Sequence, residues 1–252
     1  MRNVFILFLS WIVWAADASA QYDLRNIEFL SNLTASQSGI DERSNDIWGW
    51  TDPQTEREYA LLGRLSRTVF VDVTDPRNPE YLGFLPSTTG SSTWRDIKVY
   101  ADHAYVVSDQ NGPHGVQIFD LTRLRGVTAP TEFSPDNVYN QTRSAHNIAI
   151  NEETGYAYVT DGQILDLRAD PKHPVHAGFV SPGTHDSLAV IYRGDDTNYQ
   201  GREIFFSFTG TVVSVFDVSD KDATSRISFL EAGRYEHQGW LSEDHNFLFV
   251  NA

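Results

Sequence analysis

Short apolar runs alternate with polar breaks along nearly the whole chain, and the runs are too short and too rich in β-branched residues for helices. Three stretches repeat one grammar: "DIKVYADHAYVVSD" with "GVQIFDLT", "NIAINEETGYAYVTD" with "GQILDLR", and "LAVIYRGDDTNYQGREIFFSF" with "VVSVFDVS". Each reads strand, turn, strand, turn, strand. Val, Ile, Phe and Tyr fill the strands, while Gly, Asn and Asp bound them, and no window has helical periodicity. An aspartate closes the third strand of each unit: Asp72 in "VDVTDPRNP", Asp120 in "FDLT", Asp166 in "LDLRADPKHP" and Asp217 in "FDVSD". They lie 48, 46 and 51 residues apart, a spacing that predicts propeller blades of four strands each. A turn follows the aspartate, with proline in the first and third units, and then comes a fourth strand, "EYLGFLP" at 80–86 and "VHAGFVSP" at 175–182. The carboxylate is placed to accept hydrogen bonds from turn amides. A calcium site made from these loops would need several oxygen ligands on one ion, whereas the loops belong to separate blades.

The predicted fold class is therefore all-β, a single β-propeller domain over residues 21–252, with four blades and part of a fifth. "QGWLSEDHNFLFVNA" at the C-terminal end supplies the two inner strands of that fifth blade. "EFLSNLTA" at 28–35 matches "EYLGFLPS" at 80–87 position by position, which predicts an outer strand lent to the blade begun by the other terminus. Extrapolating a period of about 48 residues puts the next aspartate beyond the last residue. The pattern thus reads as a fragment of a six- or seven-bladed ring, incomplete at its C-terminus.

Residues 1–20 carry a basic start at Arg2, the apolar run "VFILFLSWIVWAA" and "DASA" before Gln21, the form of a secretory signal peptide cleaved after Ala20. No later segment approaches a membrane-spanning length, so a secreted or extracellular protein is expected, surface-attached in its full-length form. The chain has no cysteine, which removes thiol catalysis and cysteine-ligated metals and leaves stability to packing. With 19 Lys and Arg against 34 Asp and Glu, its net charge of −15 argues against nucleic acid and anionic membranes as partners. Asn32 and Asn140 begin sequons that could carry glycans in a eukaryote.

Candidate chemistry gathers where each innermost strand begins. Aligning the blades superposes Trp94-Arg95-Asp96, Ala145-His146-Asn147, Thr184-His185-Asp186 and Glu236-His237-Gln238, with Asp46-Ile47-Trp48 in the first blade. Inner strands line a propeller's channel, so Arg95, His146, His185 and His237 are expected on one ring. Three imidazoles with Asp96, Asp186 and Asp46 behind them could hold zinc, iron, manganese or copper with an open coordination position. The competing reading is a plug of mutually hydrogen-bonded polar groups, and Arg95 disfavours a cation unless Asp96 pairs with it. His103, His173, His245 and His114 read as surface. "YRGDDTNYQG" at 192–201 reads as a polar hairpin tip, with weak calcium binding by Asp195, Asp196 and Asn198 as the alternative, although the regular spacing of a calcium loop is lacking; Trp48, Trp50, Trp94 and Trp240 read chiefly as core, with an aromatic rim for sugars or peptides as the alternative. There is no Gly-rich phosphate loop, no G-x-S-x-G elbow and no H-E-x-x-H helix.

The phrases "SRTVFVDVTDPRNPEYLGFLP", "SSTWRDIKVYADHAYVVSD", "SAHNIAINEETGYAYV", "YQGREIFF" and "HQGWLSEDH" resemble the LVIVD-repeat propellers of the choice-of-anchor B family from about Asn26 to the end. The resemblance implies a secreted or surface-displayed propeller with a terminal anchoring signal and no established activity. It also implies cysteines in blades three and four, where this chain has Ala189 and Phe205. The function expected is a non-enzymatic binding or recognition scaffold for a protein, peptide or carbohydrate. The alternative is a metal-dependent extracellular hydrolase or oxidase using His146, His185 and His237, with no cofactor other than a divalent metal.

Overall fold

The structure is a computed structural model that describes residues 26–34, 37, 42–180 and 183–251; the signal peptide expected at 1–20 lies outside the described residues. Contacts divide the chain into residues 1–30 and residues 31–252. In the first unit, described residues 26–30 form no strand. The second is an all-β propeller with four complete blades and two strands of a fifth.

Blade 1 contains β1 (Ser44–Thr51), β2 (Glu58–Arg64), β3 (Arg67–Asp72) and β4 (Glu80–Pro86), antiparallel and in sequence order. Blade 2 begins with β5 (Arg95–Tyr100), β6 (His103–Ser108) and β7 (Val116–Asp120). Its connection then makes a 3-10 turn at Leu121–Leu124 and a two-residue strand, β8 (Thr131–Glu132), before the outer strand β9 (Asn137–Tyr139). Blade 3 is β10 (Ile148–Asn151), β11 (Tyr156–Val159), β12 (Gln163–Asp166) and β13 (Val175–Phe179). Blade 4 is β14 (Asp186–Ile191), β15 (Glu203–Phe208), β16 (Gly210–Asp217) and β17 (Ser225–Glu236), followed by the pair β18 (Gln238–Leu241) and β19 (Leu248–Asn251).

The innermost strands β1, β5, β10, β14 and β18 are successive neighbours, and the apolar core lies between the sheets they begin. Leu61, Phe70, Leu85, Ile97, Val106 and Phe119 fill the space between blades 1 and 2. Tyr158 and Phe205 stack at 5.1 Å between blades 3 and 4, and Leu188, Phe206 and Phe208 meet Leu241, Leu248 and Val250 of the last pair. Middle strands buried on both faces lose the polar alternation of a one-sided sheet: β3, RTVFVD, is buried from Thr68 to Asp72. Each fully buried large side chain contributes about 1.5–3 kcal/mol, which replaces the missing disulfides as the main source of stability.

All four repeated aspartates build turns. The Oδ1 atoms of Asp72, Asp120, Asp166 and Asp217 accept the amide hydrogen two residues on, from Thr74, Thr122, Arg168 and Ser219, at 2.9–3.0 Å. Three carboxylates also hold an arginine: Arg57 on Asp72, Arg168 on Asp166 and Arg202 on Asp217.

Two features were not foreseen. β8 pairs in parallel with β4, so the connection of blade 2 adds a fifth strand to blade 1. Gly83 makes this approach feasible: its φ is +135°, and a Cβ there would lie 2.0 Å from the Thr131 carbonyl oxygen. The outer strand expected at 28–35 is absent among the described residues; Ser31 instead donates to the Pro76 carbonyl at 2.6 Å and Leu33 packs near Val69 and Val71. The resemblance to 80–87 is one of composition, and these side chains find partners on blade 1.

Candidate functional site

Because side chains alternate across a strand, consecutive residues at the inner-strand starts face different surroundings, and the expected ring divides into two layers. The first is a chain of aromatic rings. Trp94 and His146 have centroids 5.2 Å apart, His146 and His185 4.3 Å, and His185 and His237 4.7 Å, with Tyr235 edge-on to His185 at 5.8 Å. The three histidines separated in sequence are thus brought together as expected. They are tilted or edge-to-face, and among the described residues no group of three or more His, Asp or Glu is arranged to hold a metal ion. His146 Nδ1 bonds the Asp109 carboxylate of the preceding blade at 3.0 Å. His185 Nδ1 is buried without a partner, and burial together with the neighbouring His146 and His237 pulls its pKa below the usual histidine value. At His185 this surrounding favours the neutral ring.

Arg95 does not join that chain. It is fully buried and turns back towards blade 1, donating from Nε to the Arg64 carbonyl at 3.0 Å and from Nη2 to the Leu65 carbonyl at 3.4 Å. Its Nη1 lies 3.1 Å from His114 Nε2. His114, read as surface from its loop, is 1 % exposed, and burial brings its pKa down to about 4. Desolvation likewise lowers Arg95 to about 10. A neutral imidazole is the acceptor that this guanidinium needs, a pairing of residues 19 apart that no motif announces.

The second layer is carboxylic and lines a cavity of about 420 Å³. Asp46, Asp96, Asn147, Asp186 and Gln238, one position from each of the five successive sheets, share its wall with Trp48, Lys98, Ser187, Trp240, Phe249 and Asn251. Lys98 Nζ contacts both Asp96 oxygens at 3.0 and 3.1 Å, lies 3.9 Å from Asp46 and sits 4.5 Å above the Trp48 ring. Burial, then the adjacent Asp96 charge and a hydrogen bond shared with it, pushes Asp46 up to about 7. Burial also raises Asp186. Lys98 was legible in principle, being two residues beyond Asp96 on the same strand face; Ser187, on the opposite face of β14 from its cavity neighbour Asp186 by simple alternation, was not.

Part of this layer is structural. Asp46 Oδ2 accepts the Ile97 amide hydrogen at 2.9 Å, and Asp96 Oδ2 accepts that of Ile148 at 2.9 Å, so each carboxylate clasps the next blade's inner strand. At the third position Asn147 makes no such bond; its Oδ1 is buried without a partner, and Ser187 N bonds Asp186 instead.

Elsewhere, His173 is exposed, His103 opens β6 partly exposed, and His245 sits at a partly exposed turn. Residues 192–201 form the polar tip between β14 and β15. Trp50 is core and donates to Asp102 at 3.0 Å, whereas Trp240, expected chiefly as core, is 63 % exposed on the wall of that cavity. Asn32 and Asn140 are exposed. No helix among the described residues is long and apolar enough to cross a membrane.

No family model matches the sequence, and comparison with curated proteins gives no match. Similar solved structures include the outer coat vertex of COPII on membranes, with 13 % identity over 84 % of this chain and 56 % of that one, TM-score 0.51. The periplasmic gluconolactonase of Pseudomonas aeruginosa has 16 % identity over 79 % of this chain and 62 % of that one, TM-score 0.50. A hypothetical selenium-binding protein of Sulfolobus tokodaii has 13 % identity over 77 % and 53 %, TM-score 0.48. The chain spans between half and two thirds of the length of these structures. At such identities the likeness to the COPII and gluconolactonase structures is one of fold, the β-propeller.

Proposed function

We propose that this chain is a binding scaffold of the LVIVD-repeat, choice-of-anchor B type, exported from the cell, and that it recognises a small polar ligand at the channel end of its inner strands. The observation that carries this reading is the convergence of one position from each of five sheets on a single cavity of about 420 Å³. That volume falls within the range of small-molecule sites, and the wall combines aromatic rings with a few polar groups, as such sites do. Export rests on the N-terminal run and the A-x-A site, and the family on the long phrases quoted above.

Thermal-shift measurements with panels of sugars, amino acids, amines and short peptides test the reading. A ligand that raises the melting temperature of the wild type and fails to raise that of Asn147→Trp, which fills the cavity, supports it. Identical shifts in both proteins overturn it.

A second reading, a metal-dependent hydrolase or oxidase at His146, His185 and His237, is favoured by the 4.3 and 4.7 Å ring separations. It requires the rings to turn from their tilted and edge-to-face contacts to aiming nitrogens at one point. Stoichiometric zinc, iron, manganese or copper in the purified protein, lost in His185→Ala, would establish it.

A further inference from the structure

We infer that the ligand of this cavity is a small organic cation, a primary alkylammonium group carried on an apolar body. The inference rests on the cavity being a binding site and names the chemistry it selects.

Three carboxyl groups, Asp46, Asp96 and Asp186, face one ammonium, and Lys98 is the only basic side chain among the described residues lining the cavity. Lys98 is already committed, to Asp96, to the Ile97 carbonyl at 3.1 Å and to the face of Trp48. Asp46 is hydrogen-bonded to Asp96. Asp186 accepts the Ser187 amide hydrogen at 2.6 Å and has no ion pair among the described residues. A half-buried carboxylate that no cation contacts directly, with Lys98 acting on it only from a distance, is the natural seat for an added cation.

Two further atoms on the same wall lack partners. Asn147 is 8 % exposed and its Oδ1 has no hydrogen bond; neither has the buried Ser187 Oγ. Both can accept. The Ser187 hydroxyl can also donate, but with Asn147 Oδ1 and the Asp186 carboxylate the unsatisfied capacity of this wall is mainly for hydrogen-bond acceptance, which an ammonium with three donors and no acceptor complements. Neutral polyols bring acceptors as well, and these would face carboxylates. Beside these groups Trp240 and Phe249 are 63 % and 66 % exposed, offering ring faces to an alkyl body and a cation at once. A bare metal ion would leave those rings unused.

Titration of the full chain with n-butylammonium chloride, followed by amide NMR at constant ionic strength, tests the inference against n-butanol as the neutral isostere. Saturable shifts at Ser187 and Gly239 are expected with the ammonium alone. Asp186→Asn should weaken binding by about fivefold, the order of a partly exposed ion pair. Trp240→Ala, at an exposed position that leaves the fold intact, should weaken it by about threefold. Equal binding of n-butanol, or affinity for the ammonium unchanged in both variants, would overturn the cationic assignment while leaving a ligand site in the cavity. Absence of saturable binding of either probe overturns the cationic assignment; the proposed function then stands or falls on the Asn147→Trp thermal-shift test. Should Asp186→Asn fail to fold, Trp240→Ala alone decides the ammonium arm.

Discussion

The two ends of the repeated unit behave differently. Where the third strand closes, four aspartates make the same bond to the amide two residues on, and three of them hold an arginine. Where the innermost strand opens, the equivalent positions hold Asp46, Asp96, Asn147, Asp186 and Gln238, and their bonds diverge. The clasp from one blade to the next is made twice and then lapses at Asn147. Between blades 3 and 4 it is replaced further out by Glu203, which receives Asn151, Thr154 and Lys221 at 2.8, 2.6 and 2.7 Å. Uniform bonding is what a scaffold requires of every blade, since each must turn its chain in the same way. Variation within a repeat is where a ring can become asymmetric enough to recognise something.

If that contrast is right, damage to the uniform scaffold should cost more than changes at the variable end. The largest effect is expected for Gly83→Ala, whose methyl group would collide with the Thr131 backbone at a φ of +135°; a loss of roughly 4 kcal/mol in denaturant unfolding is expected. Gly90→Ala, with nothing within 4 Å, should be near neutral.

Next comes the pH dependence of the variable end. His114 has its pKa lowered from 6.5 to about 4, so the fold favours the neutral ring. Its contribution is complete above the unfolded value and disappears as pH falls from about 6.5 to 4, on the order of 3 kcal/mol. Asp46, raised from 3.8 to about 7, acts oppositely: its contribution is complete below the unfolded value and is lost as pH rises towards 7. The two largely cancel in the wild type. His114→Gln should therefore gain relative stability on acidification, whereas Asp46→Asn should gain it as pH rises, as chemical denaturation at pH 4.5 and 7 can measure.

Alanine at Asp72, Asp120, Asp166 or Asp217 should each cost about 2 kcal/mol, the scale of hydrogen bonds to a charged group. Near-equality among the four is the informative result, and a single dominant aspartate would break the comparison. Smallest is Asp96→Asn, about 1 kcal/mol, since the amide oxygen can still accept from Ile148. Its sharper readout is a fall in the Asp46 pKa, visible by carboxyl NMR, once the neighbouring charge is removed.

The blades were legible because packing on both faces of a strand demands runs such as "TVFVD", and because the turn aspartate repeats at nearly constant spacing. The convergence of His146, His185 and His237 followed from that register. What the register could not give was orientation. Arg95 occupies the same position as the histidines, yet its longer side chain reaches the Arg64 and Leu65 carbonyls and His114, a buried partner concealed in a glycine-rich loop. β8 was hidden for a related reason: two residues pairing in parallel with another blade leave no periodic signal.

That two-residue strand bears on how the molecule comes apart. Since β8 belongs in sequence to blade 2 and in hydrogen bonding to blade 1, neither blade can open without baring an edge of the other. Blades 1 and 2 should consequently exchange their amide hydrogens as one cooperative unit, with the outer amides of β4 protected only as long as blade 2 stays closed. A protease cut in the connection 125–130 would loosen both blades together.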